Sequence, residues 1–266
     1  MTKWICTDPK ARPTGSEVLE LYCIPQAGMG AWAFHSWTGK LGPEISILPV
    51  ELPGRNTRLG EPKHTDMSCL IDDLLTALLP LLENAKPYAI FGHSMGAWIG
   101  YELVRQIEAR GLRPPVRLYV SANRAPQLAG PENDVDPTMM SALSYDEFWE
   151  CFERRYGPSK DLRSDSVRRF VWPLLRADFE LIERYRASPP VAVRTGIRAF
   201  GARGDRRYTA EQLERWSECT TGGFRVSWLG GGHNYVTEDP GPLAEVLRAD
   251  LEDCVRRARS AAAGAP

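Results

Sequence analysis

The chain reads as an α/β architecture: a mostly parallel central sheet flanked by helices, with one helical insertion. Short apolar runs alternate with amphipathic helical segments along most of its length, as in a parallel sheet joined by right-handed crossovers. One junction carries Gly92-His93-Ser94-Met95-Gly96 between an apolar run and a helical one. The alternation stops from about Asp136 to Arg186, where the spacing is helical and no strand is evident. A length of 266 residues suits one such domain, so residues 1–266 are read as a single unit with the insertion at about 136–186.

Met1 to Ser16 is polar, carries Pro9 and Pro13, and reads as a loosely held lead-in. Val18 to Ile24 (VLELYCI) is a buried strand, followed by the loop Pro25-Gln26-Ala27-Gly28-Met29-Gly30 and the aromatic residues Trp32, Phe34 and Trp37. Ile45 to Leu52 is a second strand, and its Pro49 marks an irregularity or a sheet edge. Met67 to Leu82 spaces Leu70, Leu74, Leu78 and Leu81 as a helix whose last turn Pro80 should distort. Tyr88 to Phe91 is the strand before the glycine corner; Ile99, Leu103 and Ile107 mark one face of the helix after it. Val116 to Val120 is the next strand. The insertion holds candidate helices at Tyr145–Tyr156, Ser164–Leu175 and Ala177–Tyr185, crowded with aromatic residues including Phe148, Trp149 and Phe152. Such an insertion is expected to act as a lid over a site; an ordinary helical subdomain is the alternative. Alternation resumes with strand Ile197–Ala202, helix Ala210–Trp216, strand Phe224–Leu229 and helix Pro242–Arg259. The tail Ser260 to Pro266 reads as frayed.

Composition narrows the classes. Charged residues make up 25% and the formal net charge is −1, which points away from nucleic acid and anionic membranes as partners. No apolar run is long enough to span a bilayer. The six cysteines form no C-x-x-C pair and no secretory h-region follows Met1, so reduced thiols in a cytoplasmic protein are expected. The four histidines are scattered, so no metal site is expected.

G-x-S-x-G at a strand-to-helix corner is a nucleophile elbow: glycines let strand and helix backbones approach while the serine hydroxyl is thrust outward. Ser94 is therefore the candidate nucleophile, and the Met95 N–H at the helix start a candidate oxyanion donor. A serine nucleophile needs a base, and the base an orienting carboxylate. His233, in Gly230-Gly231-Gly232-His233 after the last strand, is the one histidine beyond Ser94. Asp205 ends the preceding strand in a Gly-Asp turn and is the preferred acid; Glu211, Glu214 and Asp239 are weaker choices. The second oxyanion amide is expected from the loop after the first strand, at Ala27. Arg55 and Arg58 are either solvated loop charges or hold the mouth of the site.

These motifs together resemble the type II (editing) thioesterases of polyketide and non-ribosomal peptide biosynthesis, relatives of the medium-chain acyl carrier protein thioesterase. The chain carries Gly-His-Ser-Met-Gly, a Pro25-Gln26-Ala27-Gly28 loop similar to P-x-A-G-G, and Pro53-Gly54-Arg55 with Arg58 and Glu61-Pro62. It also carries Pro173-Leu174-Leu175-Arg176-Ala177-Asp178-Phe179 and Gly231-Gly232-His233. The resemblance runs from about Leu19 to Leu251. Met29, Trp98 and Asn234 depart from it: the family usually has glycine, a smaller aliphatic residue and an aromatic residue there.

The resemblance implies an α/β-hydrolase fold with Ser94 as nucleophile, Asp205 as acid, His233 as base and Ala27 and Met95 as oxyanion amides. It implies hydrolysis of acyl groups from the phosphopantetheine arm of an acyl or peptidyl carrier protein, clearing stalled or aberrant acyl units; the substrate carries that arm, so no cofactor is expected. The sequence does not give the oligomeric state, and a monomer is the expectation. The alternatives on the same residues are a medium-chain acyl carrier protein thioesterase, an esterase or acyltransferase, and a non-catalytic binder. Phe148, Trp149 and Phe152 are expected to cover the acyl chamber.

Overall fold

The structure, a computed structural model, describes residues 2–11, 14–84, 86–187 and 191–263, with side chains through residue 257. Its centre is a six-stranded sheet in the order β2-β1-β3-β4-β5-β6. The strands are β1 (Leu19–Ile24), β2 (Ile45–Pro49), β3 (Tyr88–His93), β4 (Leu118–Ser121), β5 (Ile197–Ala202) and β6 (Phe224–Leu229). All five pairings are parallel. β3 and β4 are buried at every residue, as continuous apolar runs in a sheet covered on both faces should be. β2 is an edge strand, and it ends at Pro49, which has no N–H to give a ladder.

Helix α1 (Met67–Leu82) starts at Asp66, whose carboxylate accepts the Cys69 N–H, and it runs through Pro80. Helix α2 (Met95–Ala109) follows the glycine corner and packs on α1, β3 and β4. Between β4 and β5 lie α3 (Tyr145–Tyr156) and α4 (Asp165–Arg184). Helix α3 is opened by Ser144, whose N–H donates to Glu147 three residues on. The two helices expected at Ser164–Leu175 and Ala177–Tyr185 are one: α4 carries Pro173 inside it, and nothing between Leu175 and Ala177 breaks a helix. Three further helices are α5 (Ala210–Glu214), α6 (Tyr235–Glu238) and α7 (Gly241–Ala263). Among the described residues no helix is long and apolar enough to cross a membrane.

Two ends of the chain differ from expectation. Trp4 and Ile5 are buried, Ile5 bridges Val50, and the Arg58 guanidinium lies 3.9 Å from the Trp4 ring centroid. Within a polar stretch, this apolar pair is enough to dock the lead-in. The tail is helical to Ala263, consistent with the high helix propensity of Ala261-Ala262-Ala263; residues 264–266 lie outside the described part.

The sheet order places β1 beside β3, with chain winding reversed between them. In open α/β sheets such a switch point leaves a crevice at the carboxyl ends of the two strands. Here those ends are the Pro25–Gly30 loop and the Ser94 corner.

Candidate active site

Ser94 stands between β3 and α2 with φ 52° and ψ −117°, a conformation that L residues adopt only when their surroundings enforce it. The enforcement is visible. The Ser94 N–H donates to the Ser121 carbonyl at 2.7 Å, and the Asn123 amide donates to the Ser94 carbonyl at 2.9 Å. A Cβ on Gly92 would lie 2.0 Å from the Gly96 carbonyl oxygen, and one on Gly96 would lie 2.2 Å from the Ile24 carbonyl oxygen. Neither neighbour is a movable side-chain end, so both flanks of the corner require glycine.

The structure brings Ser94, His233 and Asp205 together. His233 Nε2 is 3.0 Å from Ser94 Oγ, and His233 Nδ1 is 2.7 Å from Asp205 Oδ2. An ionised Asp205 can only accept, so Nδ1 carries the proton and Nε2 is left to accept from the serine hydroxyl. Asp205 also accepts the Arg207 N–H at 2.9 Å. Burial pushes its carboxyl up, but the neighbouring His233 and its hydrogen bond, together with the Arg207 amide, outweigh burial and hold it below the usual carboxylate range. Glu211, Glu214 and Asp239 are exposed, and none of them meets His233.

A second histidine lies beneath, one whose connections the linear motif does not reveal. His93 is fully buried, and its Nε2 is 2.9 Å from the His233 carbonyl oxygen. That oxygen can only accept, so the proton sits on Nε2 and Nδ1 accepts from Ser121 Oγ at 2.8 Å. The Tyr235 hydroxyl hydrogen-bonds Ser121 Oγ in turn. Burial, reinforced by the neighbouring His233, holds the His93 imidazole down to about 3. His93 is therefore a neutral post that props the backbone of the His233 loop.

Two backbone amides face no acceptor among the described residues: Met95, first in α2, and Ala27, in the turn closed by Met29 N–H donating to the Gln26 carbonyl at 3.1 Å. Unpaired N–H groups at a helix start and a tight loop can receive a developing oxyanion.

Arg55 and Arg58 are both buried, so neither is a solvated loop charge. Arg58 donates to the Glu51 carbonyl at 2.8 Å and pairs with Glu61 at 2.6 Å, fastening its own loop. Arg55 reaches across to Asp178 of α4 at 2.8 Å and to the Met29 carbonyl at 2.8 Å.

A cavity of about 50 Å³ opens beside Ser94 and His233. Trp98, Tyr156, Phe179 and Ile182 line one part of it, and the ion-paired group Arg124, Asp134 and Arg207 another. The Tyr156 ring lies 5.2 Å from the His233 ring. Phe148, Trp149 and Phe152 do not line this cavity. They pack on Met140, Leu175 and Phe179 as a separate core of the inserted helices. The expectation that they cover the chamber is corrected: α3 turns those faces toward α4, and it is its last two residues, Arg155 and Tyr156, that reach the cavity.

Comparison with known proteins identifies the family. A family model for the thioesterase domain matches residues 19–251. The chain is 32% identical to linear gramicidin dehydrogenase LgrE of Brevibacillus parabrevis, covering 89% of each chain. It is 31% identical to gramicidin S biosynthesis protein GrsT of Aneurinibacillus migulanus, covering 94% of each. Among solved structures, RedJ, a thioesterase from the prodiginine pathway of Streptomyces coelicolor, superposes with a TM-score of 0.81 at 33% identity, over 93% of this chain and 95% of that one. The fold is that of the α/β-hydrolases, and the chain belongs to the thioesterase family, among the type II thioesterases of polyketide and non-ribosomal peptide biosynthesis.

Proposed function

We propose that the protein hydrolyses acyl thioesters held on the phosphopantetheine arm of an acyl or peptidyl carrier protein, clearing stalled or aberrant acyl groups in the cytoplasm. The observation that carries this reading is the hydrogen-bonded chain Ser94–His233–Asp205, in a chain of this family. Ser94 Oγ attacks the thioester carbonyl carbon while His233 Nε2 takes the hydroxyl proton. The carbonyl oxygen becomes an oxyanion received by the Met95 and Ala27 amides. Asp205 holds the imidazole in its working tautomer and stabilises the imidazolium. The C–S bond then breaks, and the proton on His233 goes to the departing sulfur. A thiol of pKa about 8.5 leaves more readily than an amine. Water, deprotonated by the same nitrogen, attacks the acyl-serine, and the free acid departs as Ser94 recovers its proton. The substrate brings its own pantetheine arm, and no further cofactor enters the scheme.

The segment 136–186 acts in this reading as the lid of a single domain. Tyr156, Phe179 and Ile182 roof the chamber, and the cluster around Phe148 gives the roof stiffness. The test compares one acyl group on a carrier protein and on a small thiol. Higher kcat/KM on the carrier, with no gain in product when an amine or alcohol acceptor is added, supports the reading. Equal rates on both thiols, or transfer to the acceptor, refute it.

A further inference from the structure

Two motifs remain without a part in the chemistry: Pro53-Gly54-Arg55 and the Leu174–Phe179 stretch of α4. The fold joins them. Asp178 Oδ1 accepts Arg55 Nη2 at 2.8 Å, and Asp178 Oδ2 accepts Arg55 Nη1 at 3.1 Å, a bidentate pair with both side chains almost wholly buried. The same two side chains grip one peptide segment. Asp178 Oδ2 also accepts the Gly28 N–H at 2.7 Å, and Arg55 Nη1 also donates to the Met29 carbonyl at 2.8 Å. That segment directly follows Ala27. On the same helix face, Leu175 presses on the loop: a Cβ on Gly28 would lie 2.5 Å from Leu175 Cδ2, and Gly28 has φ +75°. Phe179 and Ile182, further along α4, line the cavity beside Ser94. One helix thus roofs the chamber and grips the loop that offers the Ala27 amide.

We propose that Asp178 and Arg55 are positioning residues that set the Ala27 amide through the Gly28–Met29 peptide, so that seating of α4 over the acyl group and completion of the oxyanion site are one event. This rests on the reading of Ala27 as an oxyanion donor in thioester hydrolysis. An acyl chain that seats α4 well aligns the amide; one that displaces the helix pulls Gly28 with it. Selection between acyl groups then falls on kcat as well as on binding. The buried pair is a suitable device because each partner is anchored by the other in two places, so neither the loop nor the helix moves alone.

The test uses acyl-pantetheines from acetyl to decanoyl and, for the best of them, the trifluoromethyl ketone bearing the same chain. Ser94 Oγ adds to that ketone, the carbonyl oxygen takes the oxyanion place, and the serine proton passes to His233. In Asp178→Asn we expect kcat to fall by about 10²- to 10³-fold, the scale of losing one oxyanion donor, with KM within about threefold. Affinity for the ketone should fall by the same factor as kcat/KM. Asp178→Glu, which restores the carboxylate, should recover part of both losses. An unchanged kcat in Asp178→Asn, or a rise in KM alone, overturns the proposal. Hydrogen exchange on the wild-type protein gives a second reading that needs no variant to fold. Residues 25–30 and 174–182 should gain protection together when the ketone binds; protection of one without the other also overturns the proposal. A wild type inert toward every acyl group, on pantetheine and on a carrier protein alike, overturns the hydrolase reading, and this one with it. An active wild type whose Asp178→Asn variant keeps its kcat overturns this one alone.

Discussion

Lowering the pH should destabilise the protein through His93, and the size follows from its environment. The imidazole is fully buried, donates to the His233 carbonyl and accepts from Ser121, which leaves it no place for a second proton. It stays neutral down to about 3 in the folded chain, against 6.5 for an ordinary histidine. Between those values the unfolded chain binds a proton that the folded chain does not, so stability rises with pH across the window and falls as pH drops. The slope is at most about 1.4 kcal/mol per pH unit, so moving from pH 7 to pH 5 removes about 2 kcal/mol. For a domain stabilised by roughly 5–15 kcal/mol that is readily measured. Urea unfolding at both pH values, on wild type and His93→Gln, isolates the effect because other titrating groups are common to both. The wild type should lose about 2 kcal/mol more than the variant between pH 7 and pH 5. Equal losses would refute the picture of a neutral prop. The variant should also lose activity, since the backbone of the His233 loop loses its support.

Gly96→Ala forces a Cβ to within 2.2 Å of the Ile24 carbonyl oxygen, and thermal or urea unfolding should show a loss of more than about 4 kcal/mol or no folded protein. Asp205→Asn should keep its unfolding midpoint close to wild type yet drop kcat by about 10⁴-fold, because the imidazole loses its tautomer; near-normal turnover removes Asp205 from the mechanism. Trp98 lines the cavity, donates to the Arg124 carbonyl at 2.9 Å and leans on Tyr185. Trp98→Leu should enlarge the chamber and shift the preference in an acyl-chain panel toward longer chains; an unchanged profile argues that the acyl group lies elsewhere.

Most of the sheet was legible because parallel strands buried on both faces are continuous apolar runs, as in Tyr88–His93. The corner was legible because two glycines and a serine at fixed spacing have a single steric explanation, which the Gly92 and Gly96 contacts bear out. Contacts between distant segments were not. His93 is one letter inside the motif, and its partners Ser121 and the His233 carbonyl come from two other places in the chain. Arg55 and Asp178 are 123 residues apart, and a charged loop residue in linear sequence gives no sign of such burial. The aromatic load of the insertion was misassigned for a related reason. Composition marks Phe148, Trp149 and Phe152 as apolar cover, but only packing reveals that they cover each other. Trp4 and Ile5 were missed because two apolar residues are too short a run to show periodicity.

Turnover of Ser94→Ala on an acylated carrier protein probes the proposed reaction most directly, followed as appearance of the free pantetheine thiol. Ser94 Oγ lies 3.0 Å from His233 Nε2, and nothing else in that cavity is proposed as a nucleophile. The account predicts a fall in kcat of about 10⁴- to 10⁶-fold, with His233→Ala no worse than Ser94→Ala and the double variant no worse than either, since the pair acts as a unit. A Ser94→Ala variant that keeps more than about a tenth of wild-type turnover, far above what the oxyanion site and binding leave behind in a triad lacking its serine, would contradict it.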